Sequence, residues 1–177
     1  MQTQKFSPLV MFFHWFTFLA LIGVYVAVEG HEWFERGTDM RKYFMIAHFW
    51  LGLSVLLLTV PRIITRFFSA YPPITPTPPV WQDKIAKLTL LAMYVWMLAM
   101  PLLGWAMQSA EGREVTFWGM QLPALLDLNK ELGHDLEEVH EALGTFGYLL
   151  IGVHILAAIW HQHVMKDDTL QRMRPGK

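Results

Sequence analysis

Four long stretches of this chain contain no Asp, Glu, Lys or Arg: Pro8–Val28, Tyr43–Pro61, Leu88–Ala110 and Ala142–Met165. An α-helix rises about 1.5 Å per residue, so about 20 apolar residues cross a hydrocarbon core of about 30 Å. Each stretch is near that length, and together they predict four membrane-spanning helices in a lipid bilayer. The helices of a water-soluble bundle would each carry a polar stripe, and none of these does. Apolar residues make up 54% of the chain, and the 16% that are charged gather between the spans. The first span is longer than the ~7–15 apolar residues of a signal peptide, so it is expected to be a retained helix.

The expected fold is therefore an all-α membrane protein, a four-transmembrane-helix bundle, with residues 1–177 forming one domain. The helices are expected at about 8–28, 41–67, 83–108 and 134–165, with Asp135 placed to suit the dipole of the fourth. The segment YPPITPTPP (Tyr71–Pro79) cannot be helical and reads as an extended, semi-rigid strap. In the long connection after the third helix, Phe117–Pro123 (FWGMQLP) suggests a short element resting at the membrane interface.

With four spans, the N-terminus, the strap and the C-terminus share one side. That side holds nine of the fourteen Lys and Arg residues: Lys5, Arg62, Arg66, Lys84, Lys87, Lys166, Arg172, Arg174 and Lys177. Short cytoplasmic loops are enriched in these residues, so both termini are expected in the cytoplasm. Twelve of the fifteen acids, from Glu29 to Glu141, lie in or beside the two outer connections. No basic footprint for nucleic acid exists. The chain has no cysteine, which excludes zinc fingers, iron–sulfur clusters, thiolate haem ligation, disulfides and covalent c-type haem attachment. Any haem must be held by ligation and packing alone.

Eight histidines occur, and four lie in or at the edge of the spans: His14, His48, His140 and His154. Ionisable side chains inside a membrane are costly and mark functional sites. Chain direction sorts the four by depth: His14 and His154 toward the cytoplasm, His48 and His140 toward the outside. Two histidines on facing helices at one depth form the axial clamp of a six-coordinate haem, so the depths predict two bis-histidine b haems, bound non-covalently. Fourteen residues separate His140 from His154, close to four helical turns, which puts both on one face about 21 Å apart.

Gly144 and Gly147 share that stripe, where they either admit a flat macrocycle or allow close helix contact, and Gly52 has the same two readings. Arg62, fourteen residues beyond His48, is placed either to pair a propionate of the cytoplasmic haem or to snorkel to the interface. His31, His134, His161 and His163 read as interfacial. So do Trp15, Trp81, Trp105 and Trp160.

At these residues the chain resembles the bacterial cytochrome b561 family over nearly its whole length. The resemblance is carried by FSPLVMFFHW (Phe6–Trp15), IAH (Ile46–His48) and the proline strap. It continues through VHEALGTFGYLLIGVHILAAIWHQH (Val139–His163) and KDDTLQRMRP (Lys166–Pro175). Carried onto this sequence, the family's axial ligands fall on His14, His48, His140 and His154. The resemblance further implies a superoxide oxidase of the bacterial inner membrane, taking an electron from superoxide and reducing ubiquinone.

Filled axial positions favour outer-sphere electron transfer over oxygen binding. An anionic reactant is helped by positive potential, which only a local cluster among Arg36, Arg41, Lys42, Arg113 and Lys130 could supply on so acidic a side. Two rivals remain in view. One is an electron-transfer subunit linking a partner dehydrogenase to the quinone pool; the other is a proton or metal-ion carrier that uses the histidines without haem.

Overall fold

The computed structural model describes residues 4–176. It contains four long helices: α1 (Pro8–Gly30), α2 (Asp39–Phe68), α3 (Val80–Ala110) and α4 (Lys130–Trp160). All four are long and apolar enough to cross a membrane. Their starts are written in the local sequence. Ser7, Thr38 and Asn129 each accept a hydrogen bond from a backbone N–H in the first turn of α1, α2 and α4, filling donors the helix leaves free. The Asn129 cap begins α4 at Lys130, so Glu131, rather than Asp135, lies in its first turn. Pro61 and Pro101 lie within α2 and α3, as spanning helices tolerate where neighbours satisfy the freed carbonyls.

Close backbone packing joins α1 to α2, α3 to α4 and, less extensively, α2 to α3. Among the described residues, α4 makes no comparable backbone approach to α1 or α2. Side chains bridge that wider separation. The buried core, including Leu21, Val55, Trp96, Met97 and Leu150, lies at the middle of the bundle. There Gly147 admits two rings, because a Cβ on it would collide with the Tyr25 hydroxyl and the Trp96 indole. Forcing methyl groups into a packed core costs about 1–3 kcal/mol. Gly147→Val is expected to lower the thermal midpoint in detergent.

The strap, the N-terminus and the C-terminal tail are knitted together at one end. Buried Arg172 donates to the Pro72 carbonyl, and its guanidinium lies over Phe6 and Tyr71, with Arg66 over the same two rings. Thr75 N donates to Asp168 Oδ1 at 2.8 Å, and Trp15 Nε1 to the Met173 carbonyl at 3.0 Å. At the foot of α4 a π-turn (His161–Met165) ends in Lys166 at φ 53°, which folds the chain back. His161 Nδ1–H donates to Asp167 Oδ2 at 2.5 Å, and Thr169 N to Asp167 Oδ1 at 2.9 Å.

Burial alone would push the Asp167 carboxyl up, but these hydrogen bonds outweigh it and hold the group below its usual range. The carboxylate therefore stabilises the fold-back above the ordinary Asp value of about 3.9, and this is lost as pH falls through the lowered value. Removing the charge should cost about 1.5–3 kcal/mol locally. Asp167→Asn is expected to speed tryptic cleavage at Lys166 and Arg172 without loss of helix content.

At the opposite end, Thr116–Phe117 and Met120–Gln121 form a two-stranded hairpin, β1–β2. Its turn holds Trp118 at φ 47° and Gly119 at φ 81°, the left-handed pair that a tight hairpin requires. Tryptophan is unusual there; Trp118 stacks on Trp50 at 5.1 Å, and Trp50 Nε1 donates to the Thr116 carbonyl. The FWGMQLP segment is thus a hairpin pinned to α2, two residues beyond His48.

Candidate haem sites

Each of the four membrane histidines stands opposite one other. His14 on α1 faces His154 on α4, with ring centroids 6.3 Å apart and planes at 64°. His48 on α2 faces His140 on α4 at 6.2 Å and 81°. The spacing can be tested against what a shared metal needs. A metal–imidazole bond of about 2.0–2.1 Å, plus roughly 1.2 Å from nitrogen to ring centre, puts two opposed rings about 6.4–6.6 Å apart. Both pairs lie a few tenths of an ångström inside that spacing, at 6.3 and 6.2 Å. Among the described residues no three His, Asp or Glu side chains converge as a metal-ion cage would need; the histidines meet in twos.

The surroundings orient the rings. His48 Nδ1 lies 3.2 Å from the Val24 carbonyl. Donation there leaves Nε2 free to bind metal, the usual arrangement of a ligating histidine. His140 Nδ1 is buried without a well-formed hydrogen bond, and its ring edge lies 3.2 Å from where a Cβ on Gly104 would stand. Any side chain at 104 would crowd that ring. Gly52 and Gly144 each lie one turn beyond a histidine of this pair. A Cβ would meet nothing within 4 Å at Gly52 and only Met100 Cε, at 3.7 Å, at Gly144. These two glycines make the walls of α2 and α4 flat where a macrocycle held by His48 and His140 would lie. Gly147, on the same stripe of α4, is instead filled by Tyr25 and Trp96.

At the other pair, Arg62 Nη2 donates to His14 Nδ1 at 3.0 Å, and its guanidinium lies over the Tyr94 ring at 5.2 Å. A cation inside a span needs such partners, and it sits at the depth of the His14–His154 pair. Tyr94 escaped sequence reasoning, although a hydroxyl in the middle of an apolar span is a legible signal. The Val24 carbonyl carries no sequence signal at all.

Opposed histidine pairs at two depths of a membrane bundle fit haem ligation, and the comparisons with known proteins fit it too. The profile described as prokaryotic cytochrome b561 matches residues 5–176. The chain belongs to the prokaryotic cytochrome b561 family. It is 34% identical to cytochrome b561 homolog 1 of Escherichia coli (strain K12), covering 98% of this chain and 99% of that protein. It is 31% identical to a protein of Yersinia pestis named probable superoxide oxidase CybB, covering 98% of each. Cytochrome b561 homolog 2 of Escherichia coli (strain K12) is 22% identical. Membership makes this a multi-pass bacterial membrane protein of electron transfer, oxidoreductase-like, with b-type haem as its cofactor.

Three of the five cations in or beside the α1–α2 and α3–α4 connections are engaged. Arg41 donates to the His31 and Phe34 carbonyls at 3.0 and 3.1 Å. Lys42 pairs with Asp39 at 3.1 Å and Arg113 with Glu111 at 2.8 Å. Two of the five are thus offset by carboxylates, and Arg41 is committed to holding the α1–α2 connection.

Proposed function

We propose that this chain is a di-haem b protein of the inner membrane that oxidises superoxide at its outer end and passes the electrons to ubiquinone. The reading rests first on the two opposed histidine pairs, whose 6.2 and 6.3 Å separations suit one iron each. The relative named probable superoxide oxidase, similar over nearly its full length, supports the choice of donor. The lysine and arginine bias supports placing both termini in the cytoplasm. His48 and His140 then hold the outer haem, and His14 and His154 the cytoplasmic one. Bound haem supplies reversible one-electron storage at each depth. The protein's part is to fill both axial positions, keep oxygen off the iron and exclude water between the sites.

In this reading Gly144 gives the outer macrocycle a flat wall, and Gly147 serves packing. Arg62 has a distinct part. An imidazole that binds iron through Nε2 carries its hydrogen on Nδ1, so Arg62 cannot go on donating to that atom of His14. Its guanidinium then suits a propionate carboxylate of the cytoplasmic haem, where two parallel N–H donors match two oxygens. The overall reaction balances when two superoxide ions each lose one electron to become dioxygen. One quinone takes those two electrons and two protons to become quinol.

A second reading, a membrane subunit accepting electrons from a partner dehydrogenase, is favoured by one observation. The outer connections hold twelve acids against five bases, with two of those bases already paired. That suits a basic partner better than an anion. Rapid mixing separates the two. Superoxide added to oxidised protein is expected to reduce haem within the mixing experiment, and added ubiquinone to reoxidise it. Haem that superoxide leaves oxidised, but dithionite reduces, would favour the partner reading.

A further inference from the structure

Gly147 lies seven residues from His140 and seven from His154, about 10.5 Å along α4 from each. Two rings from other helices converge on it. Trp96 of α3 donates from Nε1 to the Leu143 carbonyl at 2.8 Å, and Tyr25 of α1 donates from Oη to the Gly144 carbonyl at 2.7 Å. Both carbonyls belong to one turn of α4, the turn between the two histidines. The indole is 7% exposed and sits within the core of Leu21, Val55, Met97 and Leu150.

Filling this layer with aliphatic side chains would bury as much apolar surface. Instead the layer holds two large π-systems, each tethered by a hydrogen bond and each against a glycine that gives them room. Tethered, close-packed rings leave no voids, and dense packing keeps atoms in van der Waals contact across the gap. Electron tunnelling weakens far less through such contact than through a void.

We propose that Trp96, steadied by Tyr25, is a packed aromatic bridge that carries electronic coupling between the two haem sites. The bridge rests on the two-haem reading, and haem content is therefore measured first. A wild-type count of one haem per chain would remove that reading itself, whereas two haems with an unaltered transfer rate in the variants would remove only the bridge.

The test uses the full chain with its haems, in detergent. A brief reducing pulse delivers less than one electron per protein, and redistribution between the two haem absorption bands is followed in time. Potentiometric titration of each variant checks that the driving force is unchanged. Trp96→Leu and Trp96→Met, which replace the ring with aliphatic bulk, are expected to retain both haems and slow redistribution several-fold. Trp96→Phe, which keeps a ring and loses the N–H, should retain most of the wild-type rate. Wild-type speed in the Leu or Met variant overturns the proposal. So does a Phe variant as slow as either, because the ring itself would then carry nothing. Should the aliphatic variants lose haem, the Phe variant alone decides: marked slowing with both haems and unchanged potentials overturns the bridge.

Discussion

His14→Ala and His154→Ala are expected to lose the same haem, and the double variant to lose no more than either alone. His48→Ala and His140→Ala should behave likewise for the other haem. Each loss should approach half of the wild-type haem content. The expectation follows from the two ring pairs, since a haem without a covalent link stays in the protein only while its two histidines hold the iron and the pocket stays packed. Haem content is read by haemochrome assay and the identity of the lost haem by its low-temperature absorption band. Spectroscopically different losses from His14→Ala and His154→Ala would contradict the pairing. The effect on folding should be smaller than the effect on haem, because the aromatic layer around Gly147 and the knitted strap and tail do not depend on either pair.

Much of this arrangement was legible in the sequence, and for a physical reason. A membrane forces charge out of four stretches, so the spans show as gaps in the charge pattern. Helical direction then converts residue number into depth. Depth placed His14 with His154 and His48 with His140, the same rings that the fold brings opposite one another. Features that depend on the backbone were not legible. The start of α4 at Lys130 is set by the Asn129 side chain closing on Leu132 N, which composition alone does not announce.

The FWGMQLP hairpin needs a tryptophan at positive φ, which only its stacking on Trp50 accounts for. Gly144 and Gly147 look alike in sequence, yet a Cβ on the first would meet only Met100 Cε and a Cβ on the second would collide with Tyr25 and Trp96. The cations of the α1–α2 and α3–α4 connections also looked available. Arg41 is bound to two carbonyls of its own connection, so replacing it would disturb structure as well as charge.

The second large effect concerns the donor. Loss of the outer haem through His48→Ala should abolish superoxide-driven reduction of the remaining haem, in protein that dithionite still reduces. In the intact protein the salt dependence should have a definite sign. On the proposed topology the outer face carries a clear excess of acids, so an anion would approach against repulsion. Exposed charge is screened over about 10 Å at about 0.1 M ionic strength. The bimolecular rate should therefore rise with salt. A rate that falls with salt would point instead to a cationic entrance near Arg36 or Lys130. His48→Ala protein whose remaining haem superoxide still reduces at the wild-type rate would contradict entry at the outer pair.

The most direct test of the account is the amount and attachment of haem in the purified chain. On the proposed reading, two opposed histidine pairs and a sequence without cysteine predict two b haems per polypeptide, both held without a covalent bond. Acid–acetone extraction followed by a haemochrome assay should recover two haems per chain and leave the polypeptide colourless. A recovery of one haem per chain, or colour that stays with the protein, would contradict it.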